Sequence, residues 1–358
     1  MPLSLSALRR LPKTDLHLHL DGSVRPRTVW ELAQEQKVRL KAKTPRELAA
    51  MLRAETRTKS LADYLKIFDI TLSVLQELEA LRRISYELVE DSARENCRHI
   101  EVRFSPILHQ KRGLQNDAIL EAVIEGLQRG SREFGVSTGV IICGMRNISP
   151  TRSLELAELA VQYRKKGIVG FDLAGEEKDF PAKHHREAFQ LVLNHNINST
   201  VHAGEGFGPP SIAQALHYCG AHRIGHGTRL GEDPELLHFV LDHRIPLEVC
   251  LTSNVQTRTV RTMAEHPFGK YLAMGVRVTL NTDNTTVSNT NITKEYALAA
   301  KHFRLSPYRI KRIVVNGFKS AFLPYEEKAR LLRQVILEID NVFMDSFPDT
   351  YDRAATVL

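Results

Sequence analysis

Eight short segments rich in β-branched and apolar residues recur along the 358-residue chain, with helical periodicity between them, and no other feature narrows the fold as far. They are residues 15–20, 99–104, 138–143, 169–173, 199–202, 223–226, 246–250 and 277–281, most of them ending in polar residues or glycine. Between them, helical stretches include residues 117–134, 153–165, 181–194 and 234–243, the last opened by Asp233 as a cap and Pro234 at the first helical position. Strands that alternate with helices run parallel and join by right-handed crossovers, and eight such units close a barrel. The expected architecture is therefore α/β, a (β/α)8 TIM barrel, with residues 1–358 forming one domain.

The spacing is uneven in one place. Roughly 80 residues separate the first and second segments, far more than one crossover helix needs, so residues of about 22–96 are expected to form a helical insertion. Within it Leu61, Tyr64, Leu65 and Phe68 follow an i, i+3, i+4, i+7 pattern, which predicts one apolar helix face. Such a stripe serves either core packing or a lid over the barrel mouth. After the eighth strand, residues of about 294–345 read as further helices outside the barrel, broken at Phe322-Leu323-Pro324.

Composition removes several other classes. Hydrophobic residues make up 42% and charged residues 25% of the chain, both near globular averages, so extensive disorder is not expected. No apolar run approaches the roughly 20 residues of a membrane span, and Met1 to Pro12 lacks an apolar signal core. The expectation is a cytoplasmic protein with no membrane partner. Cys97, Cys143, Cys219 and Cys250 are isolated from one another, which predicts reduced, buried thiols and neither a disulfide framework nor a CxxC pair. The net charge of +7 is dispersed in small clusters such as Lys111-Arg112 and Lys165-Lys166, so no nucleic-acid partner is expected. Nothing in the sequence fixes an oligomeric state.

Reactive groups of such barrels sit at the C-terminal ends of the strands, and here those ends are unusually polar. The first ends His17-Leu18-His19-Leu20-Asp21; residues i and i+2 of a strand face the same side, so both imidazoles point into the barrel. The fifth ends His202-Ala203-Gly204-Glu205, the sixth His226-Gly227 and the eighth Asn281-Thr282-Asp283-Asn284. Burying these groups without a common purpose would cost several kcal/mol of desolvation, which points to a shared metal ion. Three histidines and one carboxylate form a nitrogen and oxygen donor set that suits zinc. The fourth strand ends Asp172-Leu173-Ala174-Gly175, with no Lys to bridge a second metal, so one ion is expected.

With these motifs in view the sequence resembles the adenosine deaminases. The resemblance rests on His17-Leu18-His19-Leu20-Asp21-Gly22, Phe171-Asp172-Leu173-Ala174-Gly175, His202-Ala203-Gly204-Glu205, Arg223-Ile224-Gly225-His226-Gly227, Cys250-Leu251-Thr252-Ser253-Asn254 and Asn281-Thr282-Asp283, and it spans nearly the whole chain. It implies that His17, His19, His202 and Asp283 hold one zinc ion per chain and that Glu205 and His226, with Asp283, carry the chemistry. It further implies that Asp21 holds the ribose 5′-hydroxyl, that the Gly175 N–H meets purine N3, that His19 also borders the substrate, and that Leu61, Tyr64, Leu65 and Phe68 form an apolar gate. The implied reaction is zinc-dependent hydrolytic deamination of adenosine and 2′-deoxyadenosine. Hydroxide attacks C6 while protonated Glu205 serves N1, a general-acid contribution of about 10²–10⁴-fold. Simpler readings stand beside these: Glu205 as a partner orienting a ligand histidine, Asp21 as a turn residue before Gly22, and Gly175 as a turn needing positive φ.

One position departs from the family pattern. A second aspartate commonly follows the eighth strand and faces purine N7, whereas here that position is Asn284. Its amide donates without needing protonation, so retained chemistry is expected, with substrate preference open. Relatives with the same core deaminate aminodeoxyfutalosine or free adenine, and these are the alternatives; a ribose-holding Asp21 has no use for adenine. The other zinc deaminase design is excluded, because the chain has His99-Ile100-Glu101 and His185-Arg186-Glu187 but no PCxxC. A non-catalytic nucleoside-binding descendant would lack ligands or Glu205, and an RNA-directed enzyme would carry an RNA-binding module; neither fits.

Overall fold

The computed structural model describes residues 3–54, 58, 60–348 and 351. Eight parallel strands pair in sequence order: β1 (Lys13–His19), β2 (Cys97–Phe104), β3 (Ser137–Met145), β4 (Ile168–Ala174), β5 (Asn198–Ala203), β6 (Arg223–His226), β7 (Leu247–Val249) and β8 (Val278–Leu280). The circle closes through a parallel bridge between Leu18 and Asp283, where the Asp283 N–H donates to the His17 carbonyl at 2.8 Å and the His19 N–H to the Asp283 carbonyl at 2.7 Å. The fold is thus the (β/α)8 TIM barrel that the alternation predicts.

Local chemistry sets most helix starts. Asp233 caps helix Pro234–Asp242 by accepting from the Leu236 N–H, as its position before proline implies. Ser149 caps Pro150–Tyr163 in the same way, three residues earlier than periodicity alone places that helix. A short helix, Leu5–Arg10, precedes β1 and was not legible as periodicity. The last two strands are shorter than their apolar runs, β7 because Cys250 already serves as the cap of helix Leu251–Gln256. All four cysteines are buried and free. No helix among the described residues is long and apolar enough to cross a membrane.

Between β1 and β2 lie helices Pro26–Glu35, Pro45–Met51, Leu61–Leu65, Phe68–Leu72 and Leu78–Arg94. The single helix face expected over Leu61–Phe68 is corrected: the stripe is split between two one-turn helices. Between them Ile67 donates to the Tyr64 carbonyl, Asp69 to Lys66 and Ile70 to Ile67, so i→i+3 bonds tighten the turn and interrupt the α-helical ladder. Tyr64 also belongs to a small apolar cluster with Ala54 and Val287, apart from the main core, and Phe68 packs against it. After β8, helices Ile292–His302, Pro307–Ser320 and Tyr325–Ser346 follow outside the barrel, with Pro324 capping the last.

The barrel interior carries a ladder of buried charges where branched aliphatics usually fill the layers. Glu101 pairs with Arg223 at 2.6 Å, Arg223 with Glu248, and Arg103 bridges Glu248 at 2.8 Å and Asp172 at 3.0 Å. The Arg223 guanidinium lies 3.5 Å from the centre of the Phe322 ring. Burying such ions is tolerable only because each is paired and hydrogen-bonded. The upper rungs of this ladder meet the histidines at the mouth.

Candidate active site

The strand ends deliver their polar groups to one place. One ligand atom from each of His17, His202, His226 and Asp283 lies within 4.8 Å of the others. His19 joins them, its Nε2 standing 3.1 Å from His202 Nε2 and 3.4 Å from Asp283 Oδ1, while His17 Nε2 is 3.5 Å from the same oxygen. Ligands at about 2.0–2.2 Å around a tetrahedral ion are separated by about 3.3–3.6 Å; both distances to Asp283 fall in that range and the His19–His202 distance lies just below it, as a shared cation requires.

The residues fit a metal on three further grounds. His17 Nε2 is fully buried and has no hydrogen-bond partner. Its other nitrogen, Nδ1, lies 2.9 Å from Glu248 Oε2, and His202 Nδ1 lies 3.0 Å from Asp172 Oδ2. Such carboxylate partners orient ligand imidazoles and fix their tautomer. Burial works against ionisation of Asp283, but the adjacent imidazole of His17, with those of His19 and His226, holds its carboxylate well below the ordinary range. Two of these groups adopt backbone that side chains rarely choose: φ is +61° at His226 and +60° at Asp283, where each strand turns outward.

Glu205 sits beside this cluster, its Oε2 3.4 Å from His226 Nε2 and its Oε1 accepting from Thr257 Oγ1 at 3.0 Å. Burial, followed by the charges of Asp283 and Glu177, pushes its carboxyl well above the ordinary range, which favours the protonated form. The loop that carries it is anchored by Glu177, whose carboxylate accepts the four consecutive backbone N–H groups of Gly204, Glu205, Gly206 and Phe207 at 2.9–3.2 Å. Glu177→Ala would leave that loop with unsatisfied donors. We expect it to lose at least about 3 kcal/mol of stability, measured by denaturant unfolding, and a loss under about 0.5 kcal/mol would show that water replaces the carboxylate at no cost.

A cavity of about 280 Å³ opens over these groups. Its wall includes His19, Asp21, Gly175, His202, Glu205, His226, Asp283 and Asn284, and its roof includes Leu61, Tyr64, Leu65 and Phe68. His17 lies behind the wall, fully buried. Gly175 has φ +96°, so the turn reading holds there, and it faces the cavity as well. Asp21 is buried with Oδ1 unpartnered, and desolvation raises its pKa to about 6. Asn284 differs from the expectation of a free donor: its Nδ2 already donates to Tyr64 Oη at 2.9 Å, Tyr64 Oη is 2.7 Å from Ser288 Oγ, and the unpartnered atom is Oδ1. Gly22 makes this packing possible, since a Cβ there would stand 1.7 Å from Asn284 Oδ1.

Sequence reading missed the supporting residues. The motifs place Asp172 at a strand end without giving it a partner, and no motif marks Arg103, Glu177 or Glu248. The one available signal was their charge inside apolar strands or at a strand end, where burial requires a partner.

A closed (β/α)8 barrel with an imidazole and carboxylate cluster at the C-terminal ends of its strands is the plan of a metal-dependent hydrolase. Residues 12–338 match the family model described as adenosine deaminase, and the chain belongs to that family. It is 38% identical to the adenosine deaminase of Clostridium kluyveri, over 93% of this chain and 96% of that one. A probable adenosine deaminase of Dictyostelium discoideum is 39% identical over 95% of this chain, which spans 44% of that longer protein. Among solved structures, an adenine deaminase of Arthrobacter aurescens superposes with a TM-score of 0.85 at 27% identity, covering 91% of this chain and 98% of its own. An N6-methyl-AMP deaminase of Arabidopsis thaliana gives 0.81 at 28% identity, covering 94% and 98%.

Proposed function

We propose that this chain is a zinc-dependent hydrolytic deaminase that converts adenosine and 2′-deoxyadenosine to inosine and 2′-deoxyinosine with release of ammonia. One observation carries the reading: a buried carboxyl whose pKa is raised by its surroundings, Glu205, stands beside the imidazole and carboxylate cluster on the wall of a nucleoside-sized cavity. His17, His19, His202 and Asp283 hold the ion, for which an all-nitrogen and oxygen donor set favours zinc. When bound, such an ion lowers the pKa of a coordinated water from 15.7 to about 7.

The chain's own groups do the rest. Glu205 gives its proton to N1 as C6 becomes tetrahedral, so the ring takes up the charge of attack. His226 orients the incoming oxygen; the Glu205 carboxylate then carries the proton of the new C6 hydroxyl to the amine, the C6–N bond breaks with its electron pair on nitrogen, and ammonia leaves a C6 carbonyl. Leu61, Leu65 and Phe68 roof the cavity and exclude water. Asp21, with its unpartnered oxygen, takes a ribose hydroxyl, and the Gly175 N–H takes N3.

The lining also favours a nucleoside over a nucleotide. It includes the acidic side chains of Asp21, Asp69 and Glu176, and among its described residues there is no Lys or Arg. A 5′-phosphate of about −2 charge would meet these carboxylates without a compensating cation. The test is a set of kcat/KM values, followed by loss of the aminopurine chromophore, for adenosine, 2′-deoxyadenosine, adenine, AMP and aminodeoxyfutalosine. Adenosine and 2′-deoxyadenosine are expected to exceed the others by at least about 10²-fold. A higher value for any of the other three would replace this substrate assignment with that compound.

A further inference from the structure

His226 lies at the end of a buried hydrogen-bond relay whose direction is fixed at its far end by a backbone amide. The Phe268 N–H donates to His266 Nδ1 at 3.1 Å. A backbone N–H only donates, so Nδ1 is an acceptor and the proton of the His266 ring is on Nε2. Burial lowers the His266 pKa to about 3, which keeps that ring neutral. His266 Nε2 lies 3.1 Å from Asn254 Oδ1, which also accepts from Thr228 Oγ1 at 3.1 Å. With two donors on Oδ1, the amide orientation of Asn254 is set and its NH2 faces His226 Nδ1 at 3.1 Å.

From this directionality we infer that Asn254 and His266 are positioning residues that lock His226 in the Nε2–H tautomer, making it a hydrogen-bond donor into the cavity and not a base. Nδ1 is occupied as an acceptor, so the proton resides on Nε2, the nitrogen that stands 3.4 Å from Glu205 Oε2. Every member is buried: Asn254 and Phe268 are fully enclosed and Thr228, His226 and His266 nearly so, which shields these bonds from bulk solvent. Two consequences follow for the proposed reaction, on which this inference rests for its chemical meaning. His226 orients the attacking oxygen by donating to it and takes no proton from it. A protonated Nε2 also cannot coordinate a cation, so His19 and not His226 completes the ligand set with His17, His202 and Asp283.

The test reads the ring directly. In the zinc-loaded protein labelled with 15N in its fifteen histidines, the two-bond proton–nitrogen pattern of His226, assigned by its absence in His226→Gln, should show a protonated Nε2 and a bare Nδ1. Asn254→Asp is isosteric but offers an acceptor where the amide offers a donor. It should reverse the pattern to Nδ1–H and lower kcat by at least about 10²-fold with KM little changed, as expected when an imidazole presents the wrong nitrogen. His266→Gln, which keeps a donor toward Asn254 Oδ1, should retain the wild-type pattern and most activity. A wild-type His226 with its proton on Nδ1 overturns the inference whatever the variants do, as does an Asn254→Asp protein with unchanged tautomer and kcat. The spectrum does not depend on which nucleoside is deaminated, so an intact relay in a protein inactive on adenosine refutes the proposed function alone.

Discussion

Glu205→Gln is expected to lower kcat by about 10²–10⁴-fold while metal content and KM stay close to wild type. The substitution is isosteric, and Gln retains an oxygen that can accept from Thr257 Oγ1, as Glu205 Oε1 does at 3.0 Å. The Glu177 clamp on the backbone of residues 204–207 is untouched, so the loop keeps its place. What disappears is one transferable proton. Metal analysis and single-turnover rates together distinguish this from a loss of binding. The pH dependence has a definite sign: burial beside Asp283 raises the Glu205 pKa, so wild-type turnover requires pH below that raised value and declines as pH climbs through it. The variant should lack that alkaline limb. Wild-type turnover by Glu205→Gln would remove this residue as the proton donor.

His17→Ala should cost more, because it removes the ion and with it the nucleophile. Turnover is expected to fall by more than the roughly 10⁴-fold upper range of a lost general acid, with zinc absent from the purified protein. The fold should survive. His17 leaves behind Glu248 and Asp283, but Glu248 keeps Arg103 at 2.8 Å, Arg223 at 2.5 Å and Thr200 at 3.0 Å, and Asp283 keeps His19 at 3.4 Å, so neither buried carboxylate is left alone. Exhaustive chelation of the wild-type protein should reproduce the loss, and added zinc should reverse it. Activity undiminished by chelation would end the metal-centred reading altogether.

Much of this was legible because it is local. A period-two apolar run next to a period-3.6 run reports strand and helix through contacts within a few residues, so eight alternations announced the barrel. Strand-end histidines announced the site for the same reason, since the position of a polar group relative to the end of its own strand is a one-dimensional fact. The Leu61–Phe68 stripe shows the limit: its side chains do share the cavity roof, but periodicity did not reveal that the helix breaks beneath them. The break follows from tightened i→i+3 bonds in a segment whose Tyr64 is tethered to Ser288 and Asn284, more than 200 residues away.

The sequence alone therefore determined the barrel, the mouth on which its reactive groups gather, and the donor types offered there. Only the tertiary structure decided how those groups are held and aimed. His17 meets Glu248 across 231 positions, His202 meets Asp172 across 30, and His226 reaches the Phe268 amide through Asn254 and His266. Hydrogen bonds and ion pairs act over about 3 Å in space, and no periodicity along the chain encodes which distant residues closure of the barrel will bring that near.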